Sequence, residues 1–236
     1  MKLVWCPERA SKAYIDTVQS VSTLKRESGV AELVSAMAAG WNAQLIVETW
    51  SQGGMIPTSI GLAIASRHTG GRHVCIVPDE ISRVEYGERM SDAGVRTPET
   101  LVGEAEEVME GLEGIDFLVV DSRRGDFARV LRLAKLSSQG AVLVRKNASS
   151  SRHTCCNSTG SGSGSGFRWR GVVDEGGSRR RVVRSVFLPV GKGLDIAHVS
   201  GVGVSGGGRG GSGGAHVKRW IKHVDRRSGD VHVIRR

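Results

Sequence analysis

The amino-acid sequence predicts an α/β fold in which a mostly parallel sheet is covered by helices on both faces. Two observations predict it. Short runs that are apolar along their whole length, "QLIVETW", "HVCIVPD", "IDFLVVD" and "AVLV", recur through residues 1–147, and segments with apolar residues at helical spacing stand between them. A chain of 236 residues is also long enough for one such domain with a full core and an appendage, and too short for two large domains.

The elements follow in order. Pro7 opens a helix that runs past Tyr14, Val18 and Val21, since proline suits a first helical turn. Val30, Leu33, Val34 and Met37 keep the i, i+3, i+4, i+7 rule, so a second helix is expected with Ser28 as its cap. "QLIVETW" is the first strand, and "TSIGLAIASRH" a helix capped by Thr58, with Ile60, Ala63 and Ile64 inward. "HVCIVPD" is the second strand, with a weakly amphipathic helix from Ile81 towards Met90 after it. A short strand at "TLVG", a helix from Glu104 to Leu112, and the strand "IDFLVVD" come next. Phe127, Val130, Leu131 and Ala134 mark a further helix before "AVLV".

After Asn147 the character changes. "ASSSRHTCCNSTGSGSGSG" is low-complexity, so residues 148–167 read as a flexible linker. Residues 168–236 carry strand-like runs in "RRRVVRSVFLPVGKGLDIAHV" and on either side of "RRSGD", with a glycine-rich loop at 201–215. These strands are expected to add antiparallel to an edge of the sheet that residues 1–147 form. Their basic residues would also discourage edge-to-edge aggregation.

Charge divides the chain at the same place. Residues 1–147 hold 17 Lys+Arg against 19 Asp+Glu, and residues 148–236 hold 16 against 5, so the stated net charge of +9 is −2 in the core and +11 in the tail. Such a tail suits nucleic acid or another anionic partner, or a solvated basic face. "GGGRGGSGG" has one arginine and no aromatic residue, which makes a poor stacking platform for bases, so a plain loop is favoured.

Other classes are disfavoured. No apolar run approaches a membrane span and "MKLVWCPERASKAY" has no apolar centre, so a cytoplasmic or nuclear protein is expected. Cys6, Cys75, Cys155 and Cys156 form neither a disulfide framework nor a paired CxxC pattern, and "HTCC" with His153 lies in sequence that would not fix metal geometry. Gly191 and Gly193 in "VGKGLD" lack the third glycine and following helix of a dinucleotide fingerprint, and no nucleophile elbow is present.

Ligands of open α/β sheets sit beyond the carboxyl ends of the strands. The residues at those ends are Glu48 with Thr49, Pro78 with Asp79, Asp121 with Ser122, and Lys146 with Asn147. "SGVAELVSAMAAGWNAQLIVETW", "GEAEEVMEGLEGIDFLVVDSRRGDFARVLRLAKLSSQGAVLVRKN" and "RSVFLPVGKGLDIAHV" resemble the small-molecule O-methyltransferases of the caffeoyl-coenzyme A and catechol type. More closely, the whole chain resembles a plant domain-of-unknown-function family (DUF1442) of methyltransferase-like proteins.

The resemblance implies a Rossmann-like class I methyltransferase fold, a seven-stranded sheet with an antiparallel last strand, and S-adenosylmethionine as cofactor for methyl transfer to a small molecule. It implies cofactor-binding roles for Glu48 beside the methionine end, for Gly53 and Gly54 in the loop, for Asp79 at the ribose, for Glu104 and Ala105 at the adenine, and for Asp121. Two glycines of the family loop let backbone approach the cofactor. The first is replaced here by Trp50, and the second is kept as Gly54. Asp79 lies beyond the usual place of the ribose acid, so it serves only if the turn shifts. Each acid also has a plain reading as a solvated loop carboxylate.

Metal-dependent relatives place a cation between Asp121 and an Asp-Asn pair, and here Lys146 replaces that aspartate next to Asn147. A hard cation needs oxygen ligands, and a reversed charge beside a dication costs on the order of several kcal/mol each way at ~4 Å and an effective dielectric of ~20. No metal is expected. Lys146 then pairs with Asp121 in the vacant cation place, or acts with Asp121 in catalysis as a base or fixed charge, or points to solvent. The same departures leave a second reading, a catalytically lapsed fold used as a binding module.

Overall fold

Four apolar runs become parallel strands buried on both faces, a fifth and more exposed one pairs at the edge, and helices connect them. The computed structural model of the chain describes residues 5–22, 24, 29–148, 167–174, 180–201, 220–224 and 231–235. Their elements are α1 (Pro7–Val21), α2 (Val30–Gly40), β1 (Leu45–Thr49), α3 (Ile56–Thr69), β2 (Arg72–Val77), α4 (Glu80–Asp92), β3 (Glu99–Val102) and α5 (Ala105–Glu110). They continue with β4 (Glu113–Ile115), β5 (Phe117–Asp121), α6 (Phe127–Leu133), β6 (Lys135–Leu136), β7 (Gly140–Lys146), α7 (Trp169–Asp174), β8 (Val182–Leu188) and β9 (Leu194–Ser200). Two further strands, β10 (Trp220–Val224) and β11 (Val231–Arg235), follow.

The main sheet has seven strands in the order β3-β2-β1-β5-β7-β9-β8. β9 runs antiparallel to both of its neighbours, and the pairs from β3 to β7 are parallel. The expected seven-stranded, mostly parallel sheet with antiparallel C-terminal pairing is therefore present. β8 and β9 join it, whereas β10 pairs only with β11 in a separate antiparallel hairpin. The described residues divide into two compact units, 1–203 and 204–236, and that hairpin belongs to the second. β4 and β6 make a small parallel pair that the sequence pattern did not reveal.

Strand alternation sorts the side chains into two cores. Ile46, Cys75, Val119 and Val144 face α1, α2, α3 and α4, while Val47, Val74, Leu118 and Leu143 face α5, α6 and α7. α3 is buried from Ile56 to Ala65, as expected of a helix that packs against neighbours on more than one side. Its start differs from expectation: Met55 is the N-cap and Pro57 lies in the first turn, so Thr58 is already inside the helix and buried. The fixed φ of proline sets the start there. α2 begins after Gly29 in the left-handed conformation at φ +75°, and Ser28 lies outside the described residues. So do the low-complexity residues 149–166, with His153, Cys155 and Cys156, and most of the glycine-rich loop.

α2 and α3 meet closely at Gly61, where an added Cβ would lie 2.6 Å from the Ala31 carbonyl oxygen. Gly87 in α4 has no atom within 4 Å of the same position. Alanine is the better helix former by about 1 kcal/mol, but overpacking costs about 1–3 kcal/mol. Gly87→Ala should therefore raise the urea midpoint and Gly61→Ala lower it. A more stable Gly61→Ala variant would show that the two helices are not in contact there.

Candidate functional site

Glu48 comes fourth in a strand of five, on the same face as Ile46, which turns its carboxylate into the core beneath α3 and α4. The residue is 0% exposed. Ser59 Oγ donates to its Oε2 at 2.9 Å, the Tyr86 hydroxyl donates to Oε1 at 3.0 Å, and His73 Nε2 lies 3.1 Å from Oε1. Burial opposes the charge, yet His73, Lys146 and Ser59 together hold the carboxyl below its usual range. Burial and the nearby Glu48 charge push the Cys75 thiol and the Tyr86 hydroxyl well up. The strand-end acid is thus fully engaged by the protein's own side chains.

Next in line, Trp50 is 2% exposed and packs edge-on against Tyr86, with ring centroids 5.3 Å apart. Its indole covers Gly54, where an added Cβ would lie 2.6 Å from Nε1. Nε1 is buried with no hydrogen-bond partner among the described residues. Arg89 closes the loop from outside: it donates to the Gly54 carbonyl at 3.1 Å, pairs with Glu85 at 2.6 Å, and lies 6.0 Å from the Trp50 ring. Gly53, at φ +72°, has open space around it.

Asp79 and Glu104 stand at the far strand ends and are exposed. Asp79 caps α4 by accepting from the Ser82 amide at 2.7 Å, and that bond holds its carboxyl below the usual range. Glu104 precedes α5 without capping it by its side chain, and Ala105 is buried. The charges of Glu104 and Asp121 both act on Arg124, which itself pairs with Asp126 at 2.6 Å.

At the centre of the edge, β5 and β7 set Asp121 opposite Lys146 in register. Lys146 is 4% exposed, which excludes the solvent-pointing reading. The expected Lys146–Asp121 contact is replaced: Arg123 grips Asp121, with Nη2 2.6 Å from Oδ2, and Asn147 Nδ2 donates to Oδ1 at 2.8 Å. Lys146 makes no hydrogen bond or ion pair with a carboxylate among the described residues, but its charge lowers both Glu48 and Asp121. Asn147 takes the left-handed conformation at φ +59° and presents its amide nitrogen, not its oxygen, to Asp121. That donor set is arranged for hydrogen bonding rather than for coordination. Among the described residues no group of three His, Cys, Asp or Glu side chains gathers as a metal site.

The fold of this chain is similar to that of solved structures. A methyltransferase from Geobacter sulfurreducens matches at TM-score 0.54 and 22% identity, over 81% of this chain and 88% of that one. The O-methyltransferase TomG from Streptomyces achromogenes, involved in tomaymycin synthesis and solved with SAM, matches at TM-score 0.52 and 26% identity, over 84% and 92%. An O-methyltransferase from Bacillus cereus in complex with SAH gives TM-score 0.52 and 16% identity, over 84% and 93%. No curated protein matches the sequence. The family described as "Protein of unknown function (DUF1442)" matches residues 1–236. The chain belongs to this family.

Within this DUF1442 chain, Ser59, His73 and Tyr86 are the site residues that strand-end reasoning missed. Their signal was present: a serine inside "TSIGLAIA" and a histidine inside "RHVCIV" interrupt apolar elements, and a buried polar group needs a partner.

The Glu48 cluster has a measurable consequence. Its native pKa lies below the ordinary value of 4.5, so the stability it contributes is complete above that value and is lost as pH falls through the lower native pKa. Glu48→Gln should reduce this acid-limb dependence and cost about 3 kcal/mol at neutral pH, because His73 loses its buried partner. Urea unfolding between acid and neutral pH checks both. An unchanged neutral-pH midpoint would place Glu48 outside the core.

Proposed function

We propose that this chain binds S-adenosylmethionine along the carboxyl ends of β1, β2 and β3, and that any methyl transfer to a small molecule proceeds without a divalent cation. The observation that carries the reading is the set of groups left available along that edge. Gly53 has open space beside its Cα at positive φ, with its amide donating to Glu85 at 3.4 Å, and Asp79 and Glu104 are exposed. These suit the ribose and adenine of the cofactor. The likeness to TomG, solved with SAM, at 26% identity over most of both chains supports the same reading. Lys146 supports the absence of a cation, since its ammonium stands where a carboxylate would be needed and Asp121 is already held by Arg123 and Asn147.

The methionine half does not fit the residues present. Glu48 is spent on Ser59, His73 and Tyr86, and the Trp50 indole lies over Gly54. That half of the ligand enters only if the indole swings out. The same observation favours a second reading, a lapsed methyltransferase fold used as a binding module, with residues 148–236 and their net charge of +11 meeting nucleic acid or another polyanion.

Calorimetry with S-adenosylmethionine and its demethylated product separates the two. Wild type should bind weakly, and Trp50→Gly, with folding checked by circular dichroism, should bind about ten-fold tighter, a gain of about 1.4 kcal/mol. No heat from either protein at millimolar ligand would leave the lapsed fold standing.

The cation claim has its own test. Wild type should gain no melting temperature from magnesium, manganese or calcium, because only preferential binding to the native state stabilises it. Lys146→Asp should melt lower than wild type without metal, through carboxylate repulsion, and should rise when a divalent ion is added. Divalent stabilisation of the wild type would overturn the metal-free reading.

A further inference from the structure

At the opposite end of the strands, where α3 ends and β2 and β3 begin, lies a cavity of about 530 Å³. Arg67 and Ser66 from the last turn of α3, Arg72 and His73 from β2, Arg96 from the chain entering β3, and Glu99 of β3 line it. Three arginines thus line it with one carboxylate. Glu99 is spent on Arg72 at 2.8 Å, whereas Arg67 and Arg96 have no ion-pair partner among the described residues. The carbonyl end of α3 opposes an anion here, and Arg67, in that last turn, offsets it.

His73 makes this more than a charged surface. Its side chain is 2% exposed, Nε2 meets the Glu48 carboxylate at 3.1 Å, and Nδ1 is buried without a hydrogen-bond partner among the described residues. His73 lines the basic cavity, so its orphaned nitrogen, closed to water in this structure, points to a ligand that it meets by a turn of the ring. Neutral imidazole with Nε2–H on Glu48 offers Nδ1 as an acceptor, and the protonated ring offers it as a donor. A phosphate monoester satisfies either form, since its P–OH donates and its P–O⁻ accepts, and its remaining oxygens match the planar forks of Arg67 and Arg96. The volume exceeds that of a bare phosphate ion and falls in the range of small-molecule sites, about 300–1,000 Å³.

We infer that this cavity at the amino ends of β2 and β3 is a binding site for a phosphorylated small molecule, with Arg67 and Arg96 as clamps and His73 as the buried partner. It does not depend on whether the carboxyl edge takes S-adenosylmethionine. The full-length protein should be titrated with inorganic phosphate and with ribose 5-phosphate, at ionic strength held constant with chloride. Both should raise the melting temperature, ribose 5-phosphate should bind more tightly, and the His73 ring resonances should shift on addition. Arg67 and Arg96 are exposed, so Arg67→Ala and Arg96→Ala should fold normally and each weaken binding about ten-fold. Unchanged affinity in the double variant would place the phosphate on the basic tail and overturn the assignment. Absence of binding to wild type at millimolar concentration, or His73 resonances that do not respond, would overturn it as well.

Discussion

The buried Glu48 carboxylate is the constraint on which the first half of the fold depends. A charge with no access to water is tolerated only when its oxygens are hydrogen-bonded and a positive group is near. Glu48 meets that demand by drawing one donor from α3, one from α4 and one ring nitrogen from β2 onto β1. The contacts fix how far α3 and α4 sit from the sheet, and the charge of Lys146 reaches the same carboxylate from β7. Removing any partner weakens the compensation of a buried carboxylate, so the cluster ties four elements together more firmly than apolar packing alone specifies.

That arrangement decides what the carboxyl edge can offer a ligand. With Glu48 turned inward, the loop after β1 has lost its acid, and Trp50 then fills the space that a glycine would have left. Arg89 and Glu85 hold the loop down over the indole. The edge is closed over β1 and open at β2 and β3, where Asp79 and Glu104 remain exposed.

A partly buried ion pair does the corresponding work beside β9. Arg145, on the other face of β7 from Lys146, pairs with Asp195 at 3.1 Å and stacks 4.2 Å from the Phe167 ring, while Trp169 Nε1 donates to Asp195 at 2.8 Å. Cation, carboxylate and aromatic rings thereby fasten β9 and the segment leading into α7 to the centre of the sheet. β9 inserts between β7 and β8 in a register set by this pair as well as by its apolar residues.

The sequence by itself determined the α/β class, the order of the parallel strands and the helices between them, and the residues that stand at the strand ends, because flat apolar runs and helical spacing are local properties of the chain. It also located the departures, Trp50 and Lys146, at positions where the resemblance called for a glycine and an aspartate. Only the tertiary structure decided which way those groups face and which partners they take. Glu48 and Asp121 are both strand-end acids in sequence, yet one lies wholly inside a hydrogen-bonded core and the other is gripped by Arg123, two residues further along the chain. Lys146 is next to Asn147 in the chain, yet Asn147, not Lys146, bonds Asp121. The physical reason is that a side chain's face and partners follow from strand alternation, register and the packing of distant helices, whereas sequence spacing records only its place along the strand.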